Sequence, residues 1–147
     1  MPLHKCLDTF MSPDQFKTFY WPTLKKLILD CIAEDLIPIV LWEGDCGSRL
    51  ELIGDIPPGK AIYMIENTDI FRAKEVLGDV VCLQGNVPLS MLITGTPDDV
   101  KAYCRKLIDV VGKNGGYILG PSTSLDNART ENVKAMFDTV KEYGVYN

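Results

Sequence analysis

Four short apolar runs constrain this chain most: each closes on a polar or glycine-bearing corner and is followed by a helical pattern. The runs are Pro38 to Trp42, Lys60 to Ile65, Val80 to Leu83 and Tyr117 to Leu119. Strands that are apolar at nearly every position, alternating with helices, predict a parallel sheet covered on both faces. The corners are Glu43-Gly44-Asp45-Cys46-Gly47, Glu66-Asn67-Thr68-Asp69, Gln84-Gly85-Asn86-Val87-Pro88 and Gly120-Pro121-Ser122-Thr123-Ser124. They fall at the carboxyl ends of the strands, where parallel α/β folds place their chemistry. Four such units form either a small open sheet or half of an eight-stranded barrel.

Between the runs the helix signals are plain. Ser12 caps, Pro13 suits the first helical position, and Gln15 completes a capping box. Phe16, Phe19, Tyr20, Leu24, Leu27, Ile28 and Ile32 recur at helical spacing, and that helix ends near Asp35. Ser48 to Ile53 reads as a short helix. Asp69 caps a helix from Ile70 to Leu77 that Gly78 stops. Pro97 opens a helix running to about Val111, and a last helix runs from Thr130 to Tyr143, ended by Gly144. No linker or low-complexity tract divides the chain, so residues 1–147 read as one domain.

A net charge of −5 argues against nucleic acid or an anionic membrane as partner. No apolar run approaches the roughly 20 residues that span a bilayer, and Met1 to Cys6 has no signal-peptide core. Five cysteines, an odd count without CxxC spacing, fit reduced thiols in a cytoplasm. Cys31 and Cys104 fall within predicted helices and Cys82 within a strand, so burial is expected for all three. There is no P-loop and no GxGxxG.

Several motifs in order resemble the uroporphyrinogen decarboxylase superfamily. They are Ser12-Pro13-x-x-Phe16-x-x-Phe19, Glu43-Gly44-Asp45, Thr68-Asp69-Ile70-Phe71-x-Ala73-Lys74, Leu83-Gln84-Gly85-Asn86-Val87-Pro88, Gly95-Thr96-Pro97, Gly115-Gly116-Tyr117-Ile118-Leu119 and Glu131-Asn132-Val133. That superfamily holds decarboxylases of tetrapyrrole biosynthesis and cobamide-dependent methyltransferases, and its fold is a (β/α)8 barrel. The resemblance covers only the carboxyl-terminal half of the barrel. It implies that the four runs are barrel strands five to eight, with Leu3 to Phe10 at or just after strand four. A half-barrel leaves two open edges and an uncovered interior face, which predicts a homodimer or pairing with the missing half.

Candidate site residues follow from the corners. Glu43 and Asp45 can bind a metal, orient a substrate or move a proton; the alternative is loop solvation or helix capping. With Cys46 they make a possible oxygen/sulfur metal set. Zinc methyltransferases of the superfamily carry His-x-Cys after strand five and a Cys after strand eight. Here Trp42 to Cys46 and Pro121-Ser122 stand there instead. His4-Lys5-Cys6 does read His-x-Cys, at a different place. Glu66 faces the same mouth as Glu43 if their strands are neighbours, and paired carboxylates suit proton transfer; the alternative is a carboxylate held by backbone. Gln84 and Asn86 offer amides to a carboxylate or tetrapyrrole edge; the alternative is that Asn86 caps the turn. Arg49 pairs either with a substrate carboxylate or, at the surface, with Glu51. Ser122 follows the last strand, where the resemblance implies a decarboxylase histidine that this chain lacks.

The resemblance therefore implies two enzymatic classes. Methyl transfer would use a corrinoid protein or small methyl carrier as partner, with zinc as cofactor. Tetrapyrrole carboxylate removal would need no cofactor. The acidic mouth suits the first better than it suits a polyanionic porphyrinogen. A third reading is a half-barrel that self-associates without activity, because the decarboxylases' arginine-rich amino-terminal motif is not among these residues.

Overall fold

The computed structural model describes residues 1–145. Five parallel strands lie side by side in chain order: β1 (Pro2–Leu3), β2 (Ile39–Trp42), β3 (Ile62–Ile65), β4 (Cys82–Gln84) and β5 (Tyr117–Ile118). The order never reverses, as it would in a doubly wound sheet. It is the order of an arc of a (β/α)8 barrel.

The sheet has five strands rather than four, because β1 lies at the place where the resemblance put the end of barrel strand four. Pro2 and Leu3 carry no strand pattern of their own, and β1 forms because its backbone finds partners. The Met1 amino group donates to Ile39 O at 2.7 Å, and Leu41 N donates to Met1 O at 2.9 Å.

Covering on both faces is also corrected. Side chains alternate along a strand, and here the two sets differ sharply. Val40, Trp42, Tyr63, Ile65 and Leu83 are buried beneath the helices. Leu41, Ile62, Met64, Cys82 and Gln84 on the opposite face are only half-buried, and Ile39 and Ile118 are exposed. The runs are apolar throughout because the second face is the side a closed barrel would enclose.

The first long helical segment is built in three pieces: α1 (Pro13–Gln15), a π-helical turn (Phe16–Tyr20) and α2 (Trp21–Ala33). The predicted capping box is present, with Gln15 N donating to Ser12 Oγ at 3.2 Å and Ser12 N to Gln15 Oε1 at 3.1 Å. Pro22 has no N–H to give the preceding turn, and the wider π turn lies just before it. Phe16, Trp21, Leu24 and Ile28 reach the core, whereas Phe19 and Leu27 face outward.

A 3₁₀ turn (Gly47–Arg49) leads into α3 (Leu50–Ile53), and α4 (Ile70–Leu77) follows β3. Six residues after Pro88 form α5 (Leu89–Thr94), an element not foreseen. Next come α6 (Pro97–Val110) and α7 (Thr130–Tyr143). No helix among the described residues is long and apolar enough to cross a membrane.

Candidate functional site

The corners after the strands form one rim because each reaches the next. His4 Nδ1 meets Glu43 Oε2 at 2.5 Å, joining the loops after β1 and β2. Glu66 Oε2 accepts from Gly44 N at 2.6 Å, and Thr68 Oγ1 accepts from Cys46 N at 2.8 Å. Asn86 Nδ2 donates to Thr68 O at 3.1 Å, tying the corner after β4 to the loop after β3. Ser122 Oγ accepts from Leu89 N at 3.3 Å, and Ser122 N donates to Val87 O at 2.8 Å. Buried polar groups left unpaired cost free energy, so these side chains order the rim whatever else they do.

Gly85 shows why the corner after β4 has its composition. Its φ is +123°, and a Cβ there would stand 2.6 Å from Ile65 O. Only glycine meets both conditions. Asn86 follows it into the interior, where its Oδ1 is buried with no hydrogen-bond partner among the described residues.

A cleft of about 480 Å³ opens on this rim and is lined by Glu66, Asn67, Thr68, Asp69, Asn86, Ser122, Thr123 and Tyr103, among others. Of the predicted site residues, Glu66, Asn86 and Ser122 meet there. Tyr103 was not foreseen; it sits in mid-α6, and nothing in its local pattern distinguishes it from a packing residue. Burial, then the nearby Asp69 carboxylate, pushes its phenol up, so it is an O–H donor at neutral pH. Asp69 also caps α4, its Oδ1 accepting from Phe71 N at 2.9 Å.

Glu43 and Glu66 follow paired residues, Trp42 and Ile65, on adjacent strands. They occupy neighbouring strand ends, as expected. Their carboxylates nevertheless take separate partners, the His4 ring and the Gly44 N–H. Gln84 ends β4 on the open face, half-buried and outside the cleft.

Two assignments are corrected. Arg49 is 1% exposed rather than at the surface, and it pairs with Asp8 at 2.6 Å. It also donates to Cys6 O and Met11 O and stacks over the Phe16 ring. Glu51 pairs with Arg72 instead. Arg49 is therefore held inside the fold, its guanidinium occupied by Asp8, Cys6 O and Met11 O. The metal set is not assembled either. Asp45 Oδ1 accepts from Gly47 N at 2.9 Å, Cys46 is buried against Cys6, and Glu43 is held by His4. Among the described residues no group of three or more His, Cys, Asp or Glu side chains is placed to hold a metal ion.

The comparisons place this rim in a family. The model of uroporphyrinogen decarboxylase (URO-D) matches residues 7–143. The chain belongs to the uroporphyrinogen decarboxylase family. It is 31% identical over 138 residues to the uroporphyrinogen decarboxylase of Chlorobium phaeovibrioides, covering 90% of this chain and 38% of that protein. It is 29% identical over 137 residues to the enzyme of the same name from Chlorobium luteolum, again with 90% and 38% covered. The chain thus spans about two fifths of the length of these relatives. A methyltransferase from Methanosarcina mazei shares the fold with a TM-score of 0.80 at 22% identity, over 99% of this chain and 42% of that one. The part shared is the partial barrel described above.

Several family-like motif residues have structural duties. In Glu131-Asn132-Val133, Asn132 is fully buried and donates to Gly95 O at 2.9 Å and Leu92 O at 3.1 Å. It thereby closes the carboxyl end of α5. Thr96 of Gly95-Thr96-Pro97 caps α6 through a box with Asp99.

Proposed function

We propose that this chain supplies one side of the active-site mouth of a methyltransferase-type member of the family, served by a corrinoid protein or small methyl carrier. One observation carries the reading. The cleft is lined by Glu66 and Asp69, with no lysine or arginine among its lining residues. Arg49, the cation best placed in sequence to meet a substrate carboxylate, is enclosed and paired with Asp8. A polyanionic porphyrinogen entering such a mouth meets like charge without a counter-ion. A neutral or cationic methyl donor does not.

Among the described residues no donor set fits a zinc ion. The residues offer proton handling by Glu66, hydrogen-bond donation by Tyr103 and polar positioning by Ser122 and Thr123. Removal of tetrapyrrole carboxylates is the second reading, and the names of the Chlorobium relatives favour it.

Either reaction needs the rest of the barrel. The uncovered face carrying Leu41, Met64, Cys82 and Ile118 supports pairing with a complementary half, or with a second copy, as the route to a closed interior.

The deciding experiment is a pair of titrations followed by tryptophan quenching, one with uroporphyrin and one with a free corrinoid. The methyl-transfer reading expects no saturable uroporphyrin binding at low salt. Saturable binding that weakens as salt rises would reverse the order of the two readings.

A further inference from the structure

We propose that Cys6 and Cys46 form a reversible disulfide that ties the loop after β1 to the loop after β2. Their sulfurs lie 4.0 Å apart across 40 residues of chain, and both residues are buried. The backbones carrying them are fixed on every side. Asp8 N donates to Asp45 O at 2.8 Å, and Ser48 N donates to Asp8 Oδ2 at 2.8 Å. Arg49 binds Cys6 O and Asp8 together. The His4–Glu43 pair spans the same two loops. Two thiols held 4.0 Å apart by an independent framework need close only about 2 Å to reach bonding distance.

Each thiol lies against the other, so either can react first and the other resolves it. Burial selects an oxidant as small as a peroxide. The thiolate of one cysteine attacks a peroxide oxygen, the O–O bond breaks, and the departing hydroxide takes up the proton that cysteine lost. That cysteine is now a sulfenic acid. The sulfur of the second attacks it, the S–S bond forms as the S–O bond breaks, and the departing hydroxide leaves as water with the second thiol's proton. Two thiols and one hydrogen peroxide give one disulfide and two waters.

Cys31 lies on α2, Cys82 on β4 and Cys104 on α6, and they serve as internal controls. The folded protein is treated with hydrogen peroxide and analysed by intact mass and non-reduced peptide mapping. The expected result is a loss of about 2 Da, one Cys6–Cys46 linked peptide and full reversal by dithiothreitol. The melting temperature should rise by about 5 °C. Cys82→Ser should keep the response, and Cys46→Ser should lose it. Linkage through any other cysteine, a stable oxygen adduct on Cys6 without cross-linking, or no mass change in protein shown folded by circular dichroism overturns the proposal. The wild-type peptide map decides the matter even if a cysteine variant does not fold.

Discussion

Arg49 and Asp8 meet at 2.6 Å, with the guanidinium enclosed and the carboxylate partly open to solvent. Through this contact the loop after β1 is held to the first turn after β2. Removing Arg49 unpairs the carbonyls of Cys6 and Met11 and leaves Asp8 partly solvated, at a cost of about 2–4 kcal/mol. Arg49→Met should show that loss in denaturant unfolding. Arg49→Lys should recover little of it, because one ammonium cannot reproduce the fork that reaches Asp8, Cys6 O and Met11 O. A variant within about 0.5 kcal/mol of the parent would remove Arg49 from the frame of the rim.

Asn132 supplies the amide that ends α5. Asn132→Ala should cost about 2–3 kcal/mol, since it strips a donor from buried carbonyls of Leu92 and Gly95. Asn132→Asp should be worse, because it turns a carboxylate oxygen toward them. Hydrogen exchange should show the amides of α5 losing protection before those of β2 to β4. Uniform loss across the sheet would contradict this local role.

The Thr96–Asp99 box makes a pH-dependent contribution. Hydrogen bonds from the Thr96 hydroxyl and then its backbone N–H hold the Asp99 carboxyl below its ordinary range. A depressed carboxyl stabilises the fold above its unfolded-state value, and that contribution drains as pH falls through the folded-state value. Thr96→Ala should cost about 1 kcal/mol at neutral pH. The gap between variant and parent should narrow on acidification below about pH 4 in unfolding curves; a gap constant with pH would show that the charge plays no part.

The open sheet face should make the chain associate. Light scattering on the eluting protein should report a mass above that of one 16.4 kDa chain at micromolar concentrations. Met64→Glu or Ile118→Lys should reduce it, since each places charge on the bare face. A well-folded monomer unaffected by either change would sink the pairing idea.

Much of the frame was legible in the residues. The helix caps at Ser12 and Asp69 and the Pro97 helix start are local chemistry, settled within four residues, so the sequence shows them directly. The apolar runs located β2 to β5. Other features depend on distant partners. β1 exists only because Ile39 and Leu41 lie beside it. Arg49 resembled a surface cation because Glu51, two residues on, offers a local ion-pair partner, whereas its actual partners stand about forty residues away. Tyr103 enters the cleft from α6, and no short-range signal marks a residue for a cleft built by other loops.

Alternation along the strands divides their substitution tolerance in two. A mutational scan scored by folding alone should punish Val40, Trp42, Tyr63, Ile65 and Leu83 and pass lightly over Leu41, Met64 and Gln84. A scan scored by assembly or turnover should add the second set. The difference between the two maps, position by position, would show whether a partner covers the second face and where it sits.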